Sequence, residues 1–272
     1  MVMHPETIEQ ALDSLQQPHA APVAGGTDFM IFAENRETKT PVFLNRIAAL
    51  QEMYITGDTL HIGAARTFAS LHSLAIIPAA LRSAMHSIAS PAIRNIATIG
   101  GNICNASPAA DTLPVLYALD ASVTLQSLQG SRTLPIAQFI QNRKQTALRP
   151  GELLVCIHIP LFEGHQYFRK VSARKAQALS KCSLAVCAKT NQNGVETLRI
   201  AFGAMGLTVL RDPQIEAKLV GQSLAYALHL LPNMLREYEA LLSPIDDARS
   251  TAVYRRTVCL RLLEDHLRSL LL

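Results

Sequence analysis

IASPAIRNIATIGGNICNASPAADTLPVLYAL, residues Ile88 to Leu119, is the stretch around which the rest of the chain is organised. It carries few charges, an adjacent glycine pair at Gly100 and Gly101, a run of small and hydroxylated residues, and one acidic side chain, Asp111. A glycine lacks a Cβ, so the backbone there can take positive φ or admit another group at close range. Three consecutive N–H groups, at Gly100, Gly101 and Asn102, are placed to converge on an anion as a backbone nest. The same residues also read as a plain glycine turn after a strand at Ala97–Ile99.

A second element of the same kind lies upstream. Pro22–Met30 reads PVAGGTDFM: a short apolar strand, a Gly-Gly pair, then Thr27 and Asp28. Two strand–Gly-Gly–polar turns far apart in the chain suit the two sides of a diphosphate. Together, AGGTD at 24–28 and ATIGGNICNASPAAD at 97–111 resemble the FAD-binding subunits of the molybdenum hydroxylases, the family of xanthine dehydrogenase and carbon monoxide dehydrogenase. Further along, RKVSARKAQALS at 169–180 and YRRTVCLRLLEDHL at 254–267 resemble segments of that family's small C-terminal domain. The likeness thus extends over nearly the whole chain.

A chain of 272 residues, 49% hydrophobic, is long enough for one large domain or two ordinary ones. Only 17% of it is charged, against about 25% in an average soluble protein, which suits a surface partly covered by another subunit or a composition simply rich in Ala and Leu. The net charge of +4 is too small to argue for nucleic acid. No apolar run is long enough for a membrane span, and the N-terminal MVMHPETIEQ lacks a signal-peptide pattern. Five cysteines, an odd number without paired spacing, indicate reduced thiols and a cytoplasmic setting.

Periodicity predicts a first helix over Pro5–Gln16, with Ile8, Ala11, Leu12 and Leu15 on one face. Strands are expected at Val23, Pro41–Asn45 and Thr59–Ala64, with a turn around Gly57-Asp58. Helices follow at Thr67–Leu74, Pro78–Ile88 and Asp111–Leu119, and strands at Asp120–Leu128 and Glu152–Ile159. Alternating helices and short strands imply an α/β unit in this part of the chain. A domain break falls near Phe162–Gly164, giving residues 1–163 and 164–272. Beyond it, Gly164–Val195 has no acidic residue but contains Arg169, Lys170, Arg174, Lys175, Lys181 and Lys189, either a solvated face or side chains that reach cofactor phosphates or an acidic partner. Val195–Gly203 reads as a strand, Asp212-Pro213 as a helix start and Gly221 as its stop. The last 20 or so residues form a helix with Leu260, Leu263, Leu267 and Leu270 in one stripe.

Other site signatures are missing from the sequence. There is no GxGxxG fingerprint, GxxxxGK loop, HExxH, paired CxxC or GxSxG elbow. Cys182 and Cys187 have the spacing that opens one iron–sulfur pattern, but the third cysteine is lacking, so they read as buried fillers. His4, His19, His61, His72, His86, His158 and His165 have no second ligand at helical spacing, and no metal site is expected.

The chemistry is therefore assigned to a bound cofactor that the protein positions. The resemblance implies an α+β fold, with a two-subdomain FAD-binding domain of the PCMH type followed by a smaller α+β C-terminal domain. It implies non-covalent FAD, held on one side by Val23, Ala24, Gly25, Gly26, Thr27, Asp28 and Phe29, and on the other by Thr98, Ile99, Gly100, Gly101 and Asn102. Asp111 matches an acidic cofactor contact; Leu154, and Arg169 or Lys170, match a hydrophobic and a basic one. Cys104 stands where the family often has an aliphatic residue against the flavin. The resemblance also implies an iron–sulfur subunit and a molybdopterin subunit as partners, with 2Fe–2S clusters delivering single electrons and NAD as one acceptor. A self-standing flavin reductase or oxidase of this fold, or a non-catalytic flavin-binding assembly protein, are the alternative readings.

Overall fold

The computed structural model describes residues 2–175 and 177–272, so Ala176, within RKVSARKAQALS, lies outside the described residues, as do the side chains at 33, 35 and 36. The chain forms two compact units. The first holds the residues up to Leu74 together with Ala89–Ser107 and Asp120–Leu161; the second holds Ala75–Ile88, Pro108–Leu119 and Phe162–Leu272.

In the first unit, β1 (Ala20–Val23) and β2 (Thr40–Phe43) pair in parallel, Val23 opposite Phe43. The helix beside them runs Ile8–Ser14 rather than from Pro5, because the Thr7 side chain accepts the Gln10 N–H and so sets the start. Its buried Ala11 and Leu12 join Val42, Leu44, Ile47, Leu50, Leu153 and Val155 in one core. The larger sheet has the order β3 (Met53–Thr56), β4 (Thr59–Gly63), β9 (Leu153–Pro160), β5 (Ser122–Ser127), β6 (Gly130–Pro135). All its neighbours are antiparallel, which makes the unit α+β; the α/β expectation fails everywhere except at β1 and β2. A small hairpin, β7 (Ile140–Asn142) and β8 (Gln145–Thr146), completes the strands. From Leu153 to Val155 β9 is buried on both faces; beyond, Ile157 and Ile159 are buried while Cys156, His158 and Pro160 reach the surface.

The second unit is built on an antiparallel sheet of β10 (His165–Ser172), β11 (Ser180–Asn191) and β12 (Gly194–Gly203). Cys182, Leu184, Val186 and Ala188 of β11, with Leu198, Ile200 and Phe202 of β12, pack with the long helices Leu224–Leu241 and Ala252–Leu271. The opposite face is covered too. A Cβ added at Gly203 would meet Pro114 Cγ at 2.6 Å, so the helix Thr112–Ala118 lies against that side. Covering both faces removes the polar alternation, and β11 accordingly reads as a near-continuous apolar run. Asp212 caps the helix Pro213–Ala217 as expected, and Gly221 takes φ +79°.

Candidate functional site

The expected anion nest at Gly100, Gly101 and Asn102 does not form. Ala97–Ile99 is not a strand before a glycine turn. Thr98 is the N-cap of a helix, Ile99–Cys104, and its hydroxyl accepts the Gly101 N–H at 3.1 Å. The neighbouring donors are also committed: Ile99 N–H to Arg66 O, Gly100 N–H to Ala64 O and Asn102 N–H to Thr98 O, each at 3.0 Å. None of the three donors proposed for the nest is left for a ligand. The glycines at 100 and 101 serve packing instead. A Cβ on Gly100 would lie 2.6 Å from Ala64 O and 3.0 Å from Ala64 Cα, both backbone atoms.

The upstream turn behaves differently. A Cβ on Gly25 would lie 1.9 Å from Ile96 O and 3.0 Å from Ala97 Cα, so the structure presses this turn directly onto the entry to the glycine helix. Gly26 has φ +69°, which favours glycine. Among the described residues, the N–H groups of Gly25, Gly26, Thr27 and Asp28 have no hydrogen-bond acceptor. Val23 is buried at the end of β1, Ala24 through Thr27 are half-buried, Asp28 is exposed and Phe29 half-buried. Arg66, whose carbonyl holds Ile99, is half-buried with no ion-pair partner among the described residues, and its buried Nε has no hydrogen-bond acceptor. Four free donors on one turn and an unpaired guanidinium in the same unit are chemistry for an anion. No sequence motif contains Arg66; its link to the glycine helix is a tertiary hydrogen bond.

Cys104 is half-buried near the end of the glycine helix, and desolvation pushes its thiol up to about 12. It is thus a neutral, weakly polar side chain at physiological pH rather than a nucleophile. Leu154 is buried in β9 opposite Leu125 of β5.

Three of the predicted residues lie in the second unit. Lys170 Nζ sits 2.6 Å from Asp111 Oδ2, with side-chain exposures of 11% and 5%. It also donates to Ser87 O at 3.3 Å, and the Ser180 hydroxyl donates to Asp111 Oδ1. Asp111 is the N-cap residue of Thr112–Ala118 but accepts no capping bond, its oxygens being turned to Lys170 and Ser180. Burial raises the Asp111 carboxyl above its usual range, opposed by Lys170 and the hydroxyls of Ser180 and Ser87. Arg169, the next residue along β10, is exposed. The structure therefore separates the two basic residues that the sequence offered as alternatives: Lys170 is locked into an internal ion pair and Arg169 faces solvent.

Residues 1–162 match the FAD binding domain in molybdopterin dehydrogenase, and residues 167–270 match the CO dehydrogenase flavoprotein C-terminal domain. The chain belongs to the FAD-binding subunits of the molybdopterin dehydrogenases, and is the flavoprotein subunit of an oxidoreductase of that family. It is 33% identical to the xanthine dehydrogenase FAD-binding subunit of Escherichia coli O157:H7, over 77% of this chain and 75% of that one. Identity to the nicotinate dehydrogenase FAD-subunit of Eubacterium barkeri is 32%, over 81% and 79%. A crystal structure of Cu,Mo-CO dehydrogenase superposes with a TM-score of 0.89 at 28% identity, covering 97% of this chain and 94% of that one.

Proposed function

We propose that this chain is the electron-transfer flavoprotein of a three-component molybdenum dehydrogenase, with FAD held non-covalently by the turn at 23–29. The observation that carries the assignment of the site is the row of unpaired N–H groups from Gly25 to Asp28, with the unpaired Arg66 in the same unit. A diphosphate supplies the oxygens those donors lack, much as a phosphate does at a helix N-terminus. Thr98, Ile99, Gly100, Gly101 and Asn102 act by holding the 64–66 and 96–97 segments at close range, so that the turn keeps its shape. Cys104 and Leu154 are the apolar members of the set, and Arg169 the basic side chain free to meet an acidic group. Asp111 and Lys170 act as a pair that holds Ser87 and Ser180 in place.

When bound, FAD accepts electrons singly and releases them in pairs, which no side chain of this chain can do. The electrons arrive from 2Fe–2S clusters on a partner, substrate is oxidised on a molybdopterin subunit, and NAD or another acceptor receives them. Support for the partners is that the chain's relatives are named as subunits or medium chains, and that exposed apolar side chains such as Ile31, Phe32 and Ile96 lie in the first unit. The break between residues 1–163 and 164–272 is supported by the ranges over which the two family domains match. A cytoplasmic setting is supported by five free cysteines; among the described residues no helix is long and apolar enough to cross a membrane.

Purification from the native source tests the assembly. Co-elution with molybdenum and iron is expected. Full substrate-dependent turnover by this chain alone would instead make it a self-standing reductase or oxidase, and flavin binding with neither metals nor turnover would make it an assembly protein.

A further inference from the structure

Three side chains on the larger sheet of the first unit form a cluster that the flavin reading does not use. His61 on β4 and His158 on β9 are directly opposed across the strands, and Cys156 lies two residues along β9 on the same face. The two imidazoles meet through Nδ1, 2.7 Å apart, with the rings at 77°. Cys156 Sγ lies 3.9 Å from His158 Nδ1, and all three ligand atoms fall within 4.8 Å of one another. All three residues are half-buried, which leaves a path for an ion to enter.

We propose that His61, Cys156 and His158 form a binding site for a thiophilic transition-metal ion, Zn(II) or a metal of similar preference, with the fourth position left to water. Bond lengths of about 2.0–2.1 Å to nitrogen and 2.3 Å to sulfur, at tetrahedral angles, place two nitrogens about 3.3 Å apart and a nitrogen and a sulfur about 3.6 Å apart. The observed 2.7 Å and 3.9 Å each require adjustment of about half an ångström, within the reach of side-chain rotation. The outer shell is present as well. His158 Nε2 lies 2.6 Å from Thr124 Oγ1, which is itself 2.9 Å from Thr133 Oγ1. With Nε2–H donating to Thr124, the lone pair of His158 is on Nδ1, where the ion must bind. Tyr54 stacks on His61 with ring centroids 4.7 Å apart and fixes that ring's plane. Two nitrogens and one thiolate favour zinc over magnesium or calcium, which seek oxygen ligands.

The sequence conceals this site because its ligands come from strands 95 residues apart and meet only through antiparallel pairing, not through a short metal-binding motif. The test uses the full chain, stripped with chelator, kept reduced with a phosphine and titrated with Co(II) and then Zn(II). One Co(II) per chain is expected, with the visible bands of four-coordinate cobalt and a thiolate charge-transfer band, all displaced by one equivalent of Zn(II). Cys156→Ser should abolish the charge-transfer band, and Thr124→Val should weaken Co(II) binding about tenfold to a hundredfold. His61→Asn should weaken it further still. Circular dichroism and thermal unfolding verify that each variant is folded, so a loss of binding is read at the site. Absence of the cobalt spectrum in the folded wild type overturns the proposal, as does binding that is equal in wild type and Cys156→Ser.

Discussion

Replacing Lys170 with Met would leave the Asp111 carboxylate buried without its cation. The side chains are 11% and 5% exposed, so solvent screens little of their interaction. Breaking such a pair by removing one partner costs about 3–5 kcal/mol, because desolvation of the surviving charge is no longer offset. At about 2–4 °C per kcal/mol for a chain of this size class, the melting temperature should fall by about 6–20 °C. The sign of the pH dependence follows from Asp111. Its folded carboxyl is raised above the unfolded value, so the folded state holds a proton over a range where the unfolded chain has released it. That group's contribution therefore falls as pH rises from the ordinary carboxylate range, about 3.9, through the raised value. Without Lys170 the carboxyl rises further, so the gap between wild type and variant should be widest near neutrality and narrow towards about pH 4. Urea denaturation followed by circular dichroism at the two pH values measures this. Lys170→Met combined with Asp111→Leu should recover most of the loss, since no charge then remains buried. A loss below about 1 kcal/mol, or a gap that does not change with pH, would show that the Asp111–Lys170 pair is not a buried, unscreened ion pair.

Gly25→Ala places a methyl 1.9 Å from Ile96 O, and should cost about 1–3 kcal/mol in urea denaturation and lower the bound FAD content. Gly57→Asn, at φ +56° with open space around it, should be nearly neutral in the same assay. Arg66→Met should weaken FAD binding about tenfold to a hundredfold by fluorescence titration, while Lys189→Met, whose target pairs with Glu196 at 3.1 Å on the surface, should leave it unchanged. Glu152 accepts two 2.7 Å bonds from Arg132, which hold its carboxyl below the usual range. Its stabilisation is present above the unfolded pKa and lost as pH falls through the folded value, so Glu152→Gln should cost about 1 kcal/mol near neutrality and nothing in acid.

The sequence made both glycine motifs visible, together with their family, but not the division of labour between them. AGGTD and ATIGG look alike in one dimension, yet Thr98 caps a helix in the second and commits its donors, whereas the first remains an open turn. Ala97–Ile99 reads as a strand because it is apolar; the helix start depends on one hydroxyl, at Thr98. Strand β12, the Asp212 cap and the terminal helix were legible because period and capping chemistry agree there. Strands β10 and β11 and the helix Leu224–Leu241 were not. The first pair lies in the basic stretch, where only Phe168 of β10 is buried and no apolar alternation shows, and β11 is buried on both faces and so lacks alternation too. In the terminal helix the buried stripe is Cys259, Leu263, Leu267 and Leu271, with Arg255 at its head, a slightly different face from the one leucines alone suggested. The Asp111–Lys170 pair joins residues 59 apart, and Arg66 reaches the glycine helix only through a backbone bond. Such long-range partners leave no periodic signature.

Purifying the full chain and measuring its flavin tests whether this chain alone binds FAD through the Gly25–Asp28 turn. One FAD per chain is expected, released into the supernatant on acid precipitation, with a large loss of it in Gly25→Ala under conditions where that variant remains folded. A colourless protein that takes up no added FAD would contradict it.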